Sequence, residues 1–190
     1  LRFLPGAVRA VVALTLMVLT TLVLFVGLLT VGALAVVSPV AKWRHAFKGL
    51  ANCFPNWWTD QNDFFLKLIM QLDVEVTGPL DKLSNKEWYL LVANHQNWVD
   101  VLMLFSVFNR KIPVVKFFLK RELKWVPIVG WACWILDFPF VYRYKKSFLK
   151  RHPEKAGSDL LATKRACERF KHHPTTIVNF VEGTRFTTEK

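Results

Sequence analysis

The sequence lacks several features that would indicate familiar catalytic or metal-binding chemistry. Its three cysteines, Cys53, Cys133 and Cys167, form no Cys-x-x-Cys pair and have no spacing suited to a metal. We therefore expect free thiols facing a reducing compartment, with no disulfide and no bound metal. No Gly-x-Ser-x-Gly sequence is present, which gives no sign of a serine nucleophile of that kind. Internal repeats and low-complexity tracts are also absent.

Acidic residues are scarce, and charge is unevenly distributed along the chain. The 190 residues include 26 Lys and Arg against 14 Asp and Glu, a net charge of +12, yet 53% of the residues are hydrophobic. A basic, aromatic-rich surface suits either nucleic acid or anionic lipid. The aromatic residues lie within apolar runs and do not form a basic platform, which disfavours nucleic acid. The composition therefore points to lipid.

One segment, Ala10–Val37, contains 28 residues without a charge. As a helix it would be about 42 Å long, more than the ~30 Å hydrocarbon core of a bilayer requires. It could span with tilt, or bend within the membrane near Gly27 and Gly32. A cleaved signal peptide is disfavoured because the apolar run is too long. Basic residues flank both ends, and those on the C-terminal side favour a cytosolic location for the rest of the chain.

The next segment, Lys42–Trp58, mixes basic residues with tryptophan and phenylalanine. That mixture is typical of a segment lying at the level of the lipid headgroups. The alternative is a buried helix of the following domain.

After Pro55, short β-like runs alternate with helical patterns. This alternation predicts an α/β fold, a largely parallel sheet flanked by helices, preceded by the N-terminal hydrophobic membrane helix. Ligands bind such sheets at the carboxyl ends of their strands. We expect strands at Val74–Thr77, Trp88–Ala93, Pro113–Phe117, Phe138–Tyr142 and Thr175–Phe180, and helices at Asn62–Leu72, Val99–Phe108, Leu119–Trp125, Ile128–Leu136 and Ser158–His172.

The strand that ends at Ala93 is followed by a polar cluster containing Asn94, His95 and Asp100. On a continuous helix, residues five apart would point about 140° away from each other, so His95 and Asp100 meet only if the chain turns between them. A strand–loop–helix layout allows this turn. Asp100 would then fix the tautomer of His95, which would act as a general base. The alternative is structural, with His95 capping the loop and Asp100 capping the helix.

A second polar cluster, Glu182–Arg185, comes after the strand that ends at Phe180. Gly183 permits a sharp turn and a close approach to a ligand, Thr184 offers a hydroxyl, and Arg185 offers a planar fork suited to phosphate. Glu182 could hold the arginine or bind a substrate hydroxyl. Arg143, at the end of another apolar strand, is a further candidate cation. The alternative for Glu182–Arg185 is an ordinary polar turn with a surface arginine. The alternative for Arg143 is that it is one of several basic residues at the membrane surface.

Together these runs resemble the glycerophospholipid acyltransferases, the family of the lysophosphatidic acid acyltransferases. Its Asn-His-x4-Asp motif is matched by Asn94, His95 and Asp100, and its Phe-Pro-Glu-Gly-Thr-Arg motif by Phe180 and Glu182–Arg185, with Val181 in place of Pro. An apolar strand ending in Arg143 and the stretch Lys120–Trp131 also fit the family pattern. Details near Asp137 and Arg185 look most like the branch of lysocardiolipin acyltransferase and its bacterial relatives.

The resemblance implies a glycerol-3-phosphate acyltransferase-like fold and a membrane-bound O-acyltransferase. His95 would be the catalytic base and Asp100 its orienting partner, while Arg143, Glu182, Gly183, Thr184 and Arg185 would bind the substrate headgroup. The donor would be acyl-CoA or acyl-carrier protein, with no other cofactor and no nucleic-acid partner. The acceptor would be a lysophospholipid, foremost 1-acylglycerol-3-phosphate, and the active site would face the cytosol, at the inner membrane in a bacterium.

The resemblance also suggests how the chain is divided. We expect residues 1–58 to form the anchor and interfacial segment, and residues 59–190 to form a catalytic domain that continues past Lys190. A different lysophospholipid acceptor, such as lysophosphatidylglycerol or lysocardiolipin, and a non-catalytic membrane-surface module remain the alternatives.

Overall fold

The computed structural model describes residues 4–70, 74–97, 99–142, 144, 146–153, 157–171 and 173–181. Its longest element is α1, Gly6–Val37, a continuous helix of 32 residues. Within the described residues it is the one helix long and apolar enough to cross a membrane, judged by length and composition. The helix ends at Val37, because Ser38 precedes Pro39 and a residue before proline is disfavoured in helical conformation.

Gly27 and Gly32 lie within the continuous helix α1 and are points of close contact with other elements. A Cβ atom at Gly27 would lie 2.9 Å from the Phe54 ring, and one at Gly32 would lie 2.9 Å from the Ile135 side chain. Both neighbours belong to other elements, so the glycines let the rest of the chain approach α1 closely.

Two shorter helices come next, α2 at Ala41–Ala51 and α3 at Phe54–Phe65. α3 continues into a π-helical turn, Leu66–Met70. The expected helix start at Asn62 is wrong, because Pro55 starts α3 in its first turn and Asn62 lies in the helix interior. There the Asn62 amide donates a hydrogen bond to the Trp58 carbonyl, 2.7 Å away. α3 also continues across the expected boundary between residues 58 and 59.

The main sheet has three parallel strands, β1 (Tyr89–Ala93), β2 (Val115–Phe117) and β5 (Thr176–Phe180), in the order β1-β5-β2. A second, two-stranded parallel sheet pairs β3 (Leu119–Lys120) with β4 (Phe140–Val141). All strand pairs of the described residues are therefore parallel, which confirms the expected fold class.

Two of the expected elements are wrong. Val74–Thr77 is not a strand, although its residues have strong β propensity. In place of the expected helix at Leu119–Trp125, the chain forms β3 and then a 3-10 turn, Arg121–Trp125. Here the Leu119 N–H donates to the Pro139 carbonyl, so pairing with the neighbouring strand overrides local helix propensity.

The other helices are close to expectation. α4 has the expected bounds, α5 is one residue shorter at each end, α6 has no counterpart among the expected elements, and α7 begins where expected and ends before His172, which lies outside the described residues. Their bounds are Val99–Phe108 for α4, Val129–Ile135 for α5, Lys146–Arg151 for α6 and Ser158–Phe170 for α7.

The core joins the sheet to the N-terminal helices. Ile112, Val115 and Val178 form the cluster beneath the main sheet, and Leu28, Phe54 and Phe138 belong to a second cluster against α1. Phe105 and Phe117 pack against both clusters. α1 is therefore packed as part of the folded unit over much of its length.

Candidate active site

The two polar clusters come after neighbouring strands of the main sheet. In the register of β1 with β5, Ala93 pairs with Phe180, the last residue of each strand. The Val181 N–H extends the pairing by donating to the Ala93 carbonyl at 3.3 Å. The chain therefore leaves both strands at the same point of the sheet edge, where ligands of parallel α/β sheets bind.

His95 and Asp100 are brought together at this edge. The loop after β1 turns back into α4, whose first turn carries Asp100, and the distance from His95 Nδ1 to Asp100 Oδ2 is 3.1 Å. Their side chains are 17% and 26% exposed, respectively, so the pair is shielded but still accessible. The chain therefore turns between His95 and Asp100, as their five-residue spacing requires if the two side chains are to meet.

Asp100 also holds the loop itself. Its Oδ2 accepts the backbone N–H of Gln96 at 2.6 Å and of Asn97 at 2.8 Å. These two bonds and the contact with His95 hold the pKa of Asp100 below its ordinary value, with the N–H of Asn97 the largest cause, and burial opposes them. The helix start is capped by another residue, because Asn97 Oδ1 accepts the Val99 N–H at 2.7 Å.

The hydrogen bond to Asp100 defines the tautomer of neutral His95. An ionised carboxylate only accepts hydrogen bonds, so the proton of the imidazole lies on Nδ1 and the basic lone pair on Nε2. The arrangement matches the orienting role of a carboxylate beside a general base.

An aromatic stack fixes the plane of the His95 ring. The imidazole stacks on Phe180 with ring centroids 4.2 Å apart and planes 19° from parallel. Phe180 stacks in turn on Phe117, at 5.8 Å and 13°. In the sequence, Phe180 is notable only as part of a motif. Its contact with His95 could not be predicted from the sequence, because the two residues are 85 positions apart.

α4 is tied at its far end to α3. Ser106 Oγ donates to Asp63 Oδ2 at 2.9 Å, and both Asn109 and Arg110 donate to Asp60 at 2.6 Å. The helix that carries Asp100 is therefore held against the N-terminal helices through polar contacts. No sequence pattern singles out these acidic residues, since the pairs are 43 to 50 positions apart.

A cavity of about 230 Å³ lies beside α4. It has both polar and apolar walls. Its α4 wall is formed by Met103, Ser106 and Val107, and Asp100, Met103 and Val107 recur at the helical spacing that places residues on one face. The remaining lining residues are Asp63, Leu66, Lys67, Val74, Val76 and Lys111.

The other expected site residues lie outside the described residues. These are Arg143, one residue beyond Tyr142, and Glu182, Gly183, Thr184 and Arg185, which come after Val181. Their roles stay predictions.

The three cysteines are free thiols, of which Cys53 and Cys133 are half-buried and Cys167 is exposed. Burial among apolar side chains raises the pKa of Cys133 to about 11. This thiol is therefore protonated at neutral pH and does not supply a nucleophile.

Comparisons with known proteins identify the family of the chain. The family model described as Acyltransferase matches residues 73–190. The 1-acyl-sn-glycerol-3-phosphate acyltransferase 3 of Arabidopsis thaliana is 30% identical over 139 residues, 71% of this chain and 32% of that protein. The 1-acyl-sn-glycerol-3-phosphate acyltransferase of Saccharomyces cerevisiae is 31% identical over 135 residues, 70% of this chain and 40% of that protein. The chain thus spans between a third and two-fifths of the length of these relatives.

A solved structure shares the fold. The crystal structure of the 1-acyl-sn-glycerophosphate (LPA) acyltransferase PlsC from Thermotoga maritima superposes with a TM-score of 0.53 at 21% identity, covering 96% of this chain and 65% of that one. The similarity includes the parallel sheet and its flanking helices.

Proposed function

The chain belongs to the acyltransferase family, and we propose that it moves a fatty acyl group from a thioester donor to the free hydroxyl of a lysophospholipid. The observation that carries the proposal is the His95–Asp100 pair at the carboxyl end of β1, next to the end of β5. The foremost acceptor is 1-acylglycerol-3-phosphate, the substrate in the names of the relatives.

In the proposed reaction, the acceptor hydroxyl is the nucleophile. His95 Nε2 takes its proton as the oxygen attacks the thioester carbonyl, and Asp100 stabilises the imidazolium without taking the proton itself. The tetrahedral intermediate then breaks its carbon–sulfur bond. The thiolate leaves with the proton from His95, and the ester remains on the lipid.

The glycerol-phosphate headgroup would be bound by Arg143 and by Glu182–Arg185, with the arginines on the phosphate and Glu182 holding an arginine or a substrate hydroxyl. The supporting observation is chain order, because β5 delivers the chain to Val181 beside Ala93, directly before the second cluster. Arginine binds phosphate with two parallel hydrogen bonds, which would fix the hydroxyl in line with His95.

We propose acyl-CoA or acyl-carrier protein as the donor and no further cofactor. Part of the acyl chain would enter the cavity beside α4, whose walls include Leu66, Val76, Met103 and Val107. This cavity opens along α4 from Met103 onwards, one helical turn after Asp100.

We also propose that the protein is bound to a membrane by α1, with the site on the cytosolic face. Packed residues run along one face of α1 from Ala13 to Ala35, about 33 Å of helix. Valines and leucines are exposed along the opposite face, from Val8 to Val37. A perpendicular span would place the packed domain inside the hydrocarbon, so we infer that α1 lies along the membrane with its exposed face in lipid. Residues 1–58 would form the anchor and the interfacial segment, and residues 59–190 would form the catalytic domain.

The experiment that tests this function measures thiol release from acyl-CoA or acyl-carrier protein by the full-length protein with a panel of lysolipids. We expect release that depends on 1-acylglycerol-3-phosphate, and phosphatidic acid as the product. Faster turnover of lysophosphatidylglycerol or monolysocardiolipin would reassign the acceptor. Thiol release that no acceptor stimulates would contradict the proposed activity and favour a non-catalytic membrane-surface module.

A further inference from the structure

An exposed apolar surface lies between the 3-10 turn Arg121–Trp125 and the end of α5. We call it the tryptophan surface, and its members share large apolar side chains that are between 41% and 78% exposed. Contiguous apolar surface of this kind marks a contact with another protein or with a membrane. The tryptophan surface consists of Trp125, Val126, Val129, Trp131 and Trp134.

The backbone holds these side chains outward. Ile128 has a φ of 67° and a ψ of −70°, and the Val129 N–H donates to the Pro127 carbonyl at 2.8 Å. This is the positive-φ form of the γ-turn, which is rare and strained for a β-branched residue. Strain of this type persists where surrounding structure enforces it and clusters at ligand-binding sites.

The 3-10 turn Arg121–Trp125 packs closely against the start of α5. A Cβ atom at Gly130 would collide with the carbonyl oxygen of Leu123, so only glycine lets the 3-10 turn sit against α5 at this distance. The 3-10 turn is thus held against α5, and Trp125 and Val129 on either side of this contact are 78% and 56% exposed.

The tryptophan surface adjoins the exposed face of α1. The Trp131 ring stacks on Phe25 with centroids 6.5 Å apart, and the Ile135 side chain packs on Gly32. Phe25 borders the exposed stripe of α1 that includes Leu22 and Val26. Trp131 therefore joins the tryptophan surface to α1 beside this exposed stripe.

Basic side chains accompany the tryptophans. Lys124 Nζ lies 5.7 Å from the centroid of the Trp134 ring, and the Arg121 guanidinium lies 4.4 Å from that of Tyr142. Tryptophan together with lysine and arginine is the combination that favours the interface of an anionic bilayer, where rings sit among headgroups and cations meet phosphate.

We propose that the tryptophan surface is a second membrane contact, which enters the interfacial layer of an anionic bilayer beside α1. The proposal rests on the membrane attachment proposed above for α1. A domain attached through a single helix lying along the membrane is free to roll about the helix axis. A second contact to one side of that axis prevents rolling and holds the edge of the sheet that carries His95 at a constant height above the lipid.

The test uses a fluorescent probe on the full-length protein. In a background in which Cys53, Cys133 and Cys167 are replaced, Trp125→Cys and Val129→Cys are labelled with an environment-sensitive dye. Leu160→Cys on α7 is the matched control, because Leu160 is 73% exposed and Trp125 is 78% exposed. The labelled proteins are bound to vesicles of phosphatidylcholine and phosphatidylglycerol, with and without doxyl-labelled lipid.

We expect dye emission at positions 125 and 129 to shift to the blue, with doxyl quenching several-fold stronger than at position 160. Emission typical of water at positions 125 and 129 would overturn the proposal. A blue shift without doxyl quenching would also overturn it, because the surface would then be covered by polypeptide and not by lipid.

This readout is separate from turnover. Repeating it in the His95→Ala background should give the same quenching, so a failure of the proposed activity leaves the membrane contact testable. If a dye on the α1 residue Val11→Cys were also unquenched, the attachment of α1 itself would be wrong.

Discussion

At the residue scale, the candidate site depends on how the His95 ring is held. Asp100 fixes one edge of the imidazole through Nδ1, and Phe180 fixes its plane by stacking. Together, Asp100 and Phe180 fix the orientation of Nε2, the nitrogen proposed to take the proton. The sequence could predict the first contact because a short spacing and a motif carry it. It could not predict the second, since the stacking depends on the pairing of two strands far apart in the chain.

Replacing Phe180 tests the importance of ring orientation. We expect Phe180→Leu to lower kcat about 10-fold or more with little change in KM, since a misplaced base affects the transition state more than binding. Phe180→Tyr keeps an aromatic face and should restore most of the activity. Phe64→Leu, an exposed phenylalanine of α3, is the control. Equal losses in KM and kcat for Phe180→Leu and Phe180→Tyr would contradict a positioning role.

The pH dependence of stability should report on the bonds that Asp100 accepts. Because the folded pKa of Asp100 lies below its ordinary value of 3.8, the ionised carboxylate stabilises the fold above that pH. The contribution is lost as pH falls through the lowered folded pKa. Measured by Tm, wild type should exceed Asp100→Asn at neutral pH, and the difference should shrink in acid. A difference that stays constant with pH, or that also occurs for the exposed Asp81→Asn, would contradict this account.

At the element scale, periodicity predicted α4 and most of β1, β2, β5 and α7. In α4 and α7 the helical pattern runs over at least ten residues, and the three strands are apolar runs that the main sheet pairs. The failures occurred where other contacts determine conformation. Strand pairing with β4 makes Leu119–Lys120 extended, and Pro55 starts α3 ahead of the polar residues that suggested a later start. The π-helical turn after α3 also has no simple pattern in sequence.

The close approach of α5 to α1 can be tested at Gly32. Gly32→Leu places a side chain where Ile135 packs, so it should lower the free energy of unfolding by about 1–3 kcal/mol. The matched control is Gly49→Ala in α2, where a Cβ atom would meet nothing within 4 Å. That change should instead stabilise the protein by about 0.4–1 kcal/mol. Denaturant titration in the same detergent measures both variants. A Gly32→Leu protein as stable as wild type would show that α5 does not pack there.

At the scale of the whole molecule, one face of a 32-residue apolar helix is packed against the domain. The sequence alone left open whether this segment spans the bilayer, because length and composition are the same for a spanning helix and for one lying along the membrane. The packing of α3 and α5 against one face of α1 supports the proposed placement along the membrane. In that placement, the candidate site would lie close to the lipid surface.

The depth of α1 in the bilayer gives a direct prediction. Val11, Leu22 and Val36 are exposed along a single face of the helix. Nitroxide labels at Val11→Cys, Leu22→Cys and Val36→Cys should report similar depths if α1 lies along the membrane. A spanning helix would place Leu22 near the bilayer centre and the other two near opposite surfaces. Collision with oxygen and with a polar relaxation agent measures these depths, and the second pattern would contradict our placement.

We propose that His95 is the base of an acyl transfer to a lysophospholipid hydroxyl. This role is tested most directly by the rate of phosphatidic acid formation by wild type and by His95→Ala, in the same vesicles and at equal amounts of bound protein. We predict a rate lower by about 10²–10⁴-fold for His95→Ala, the usual contribution of a positioned base, with vesicle binding unchanged. A variant that binds vesicles and forms product at the wild-type rate would contradict the assignment.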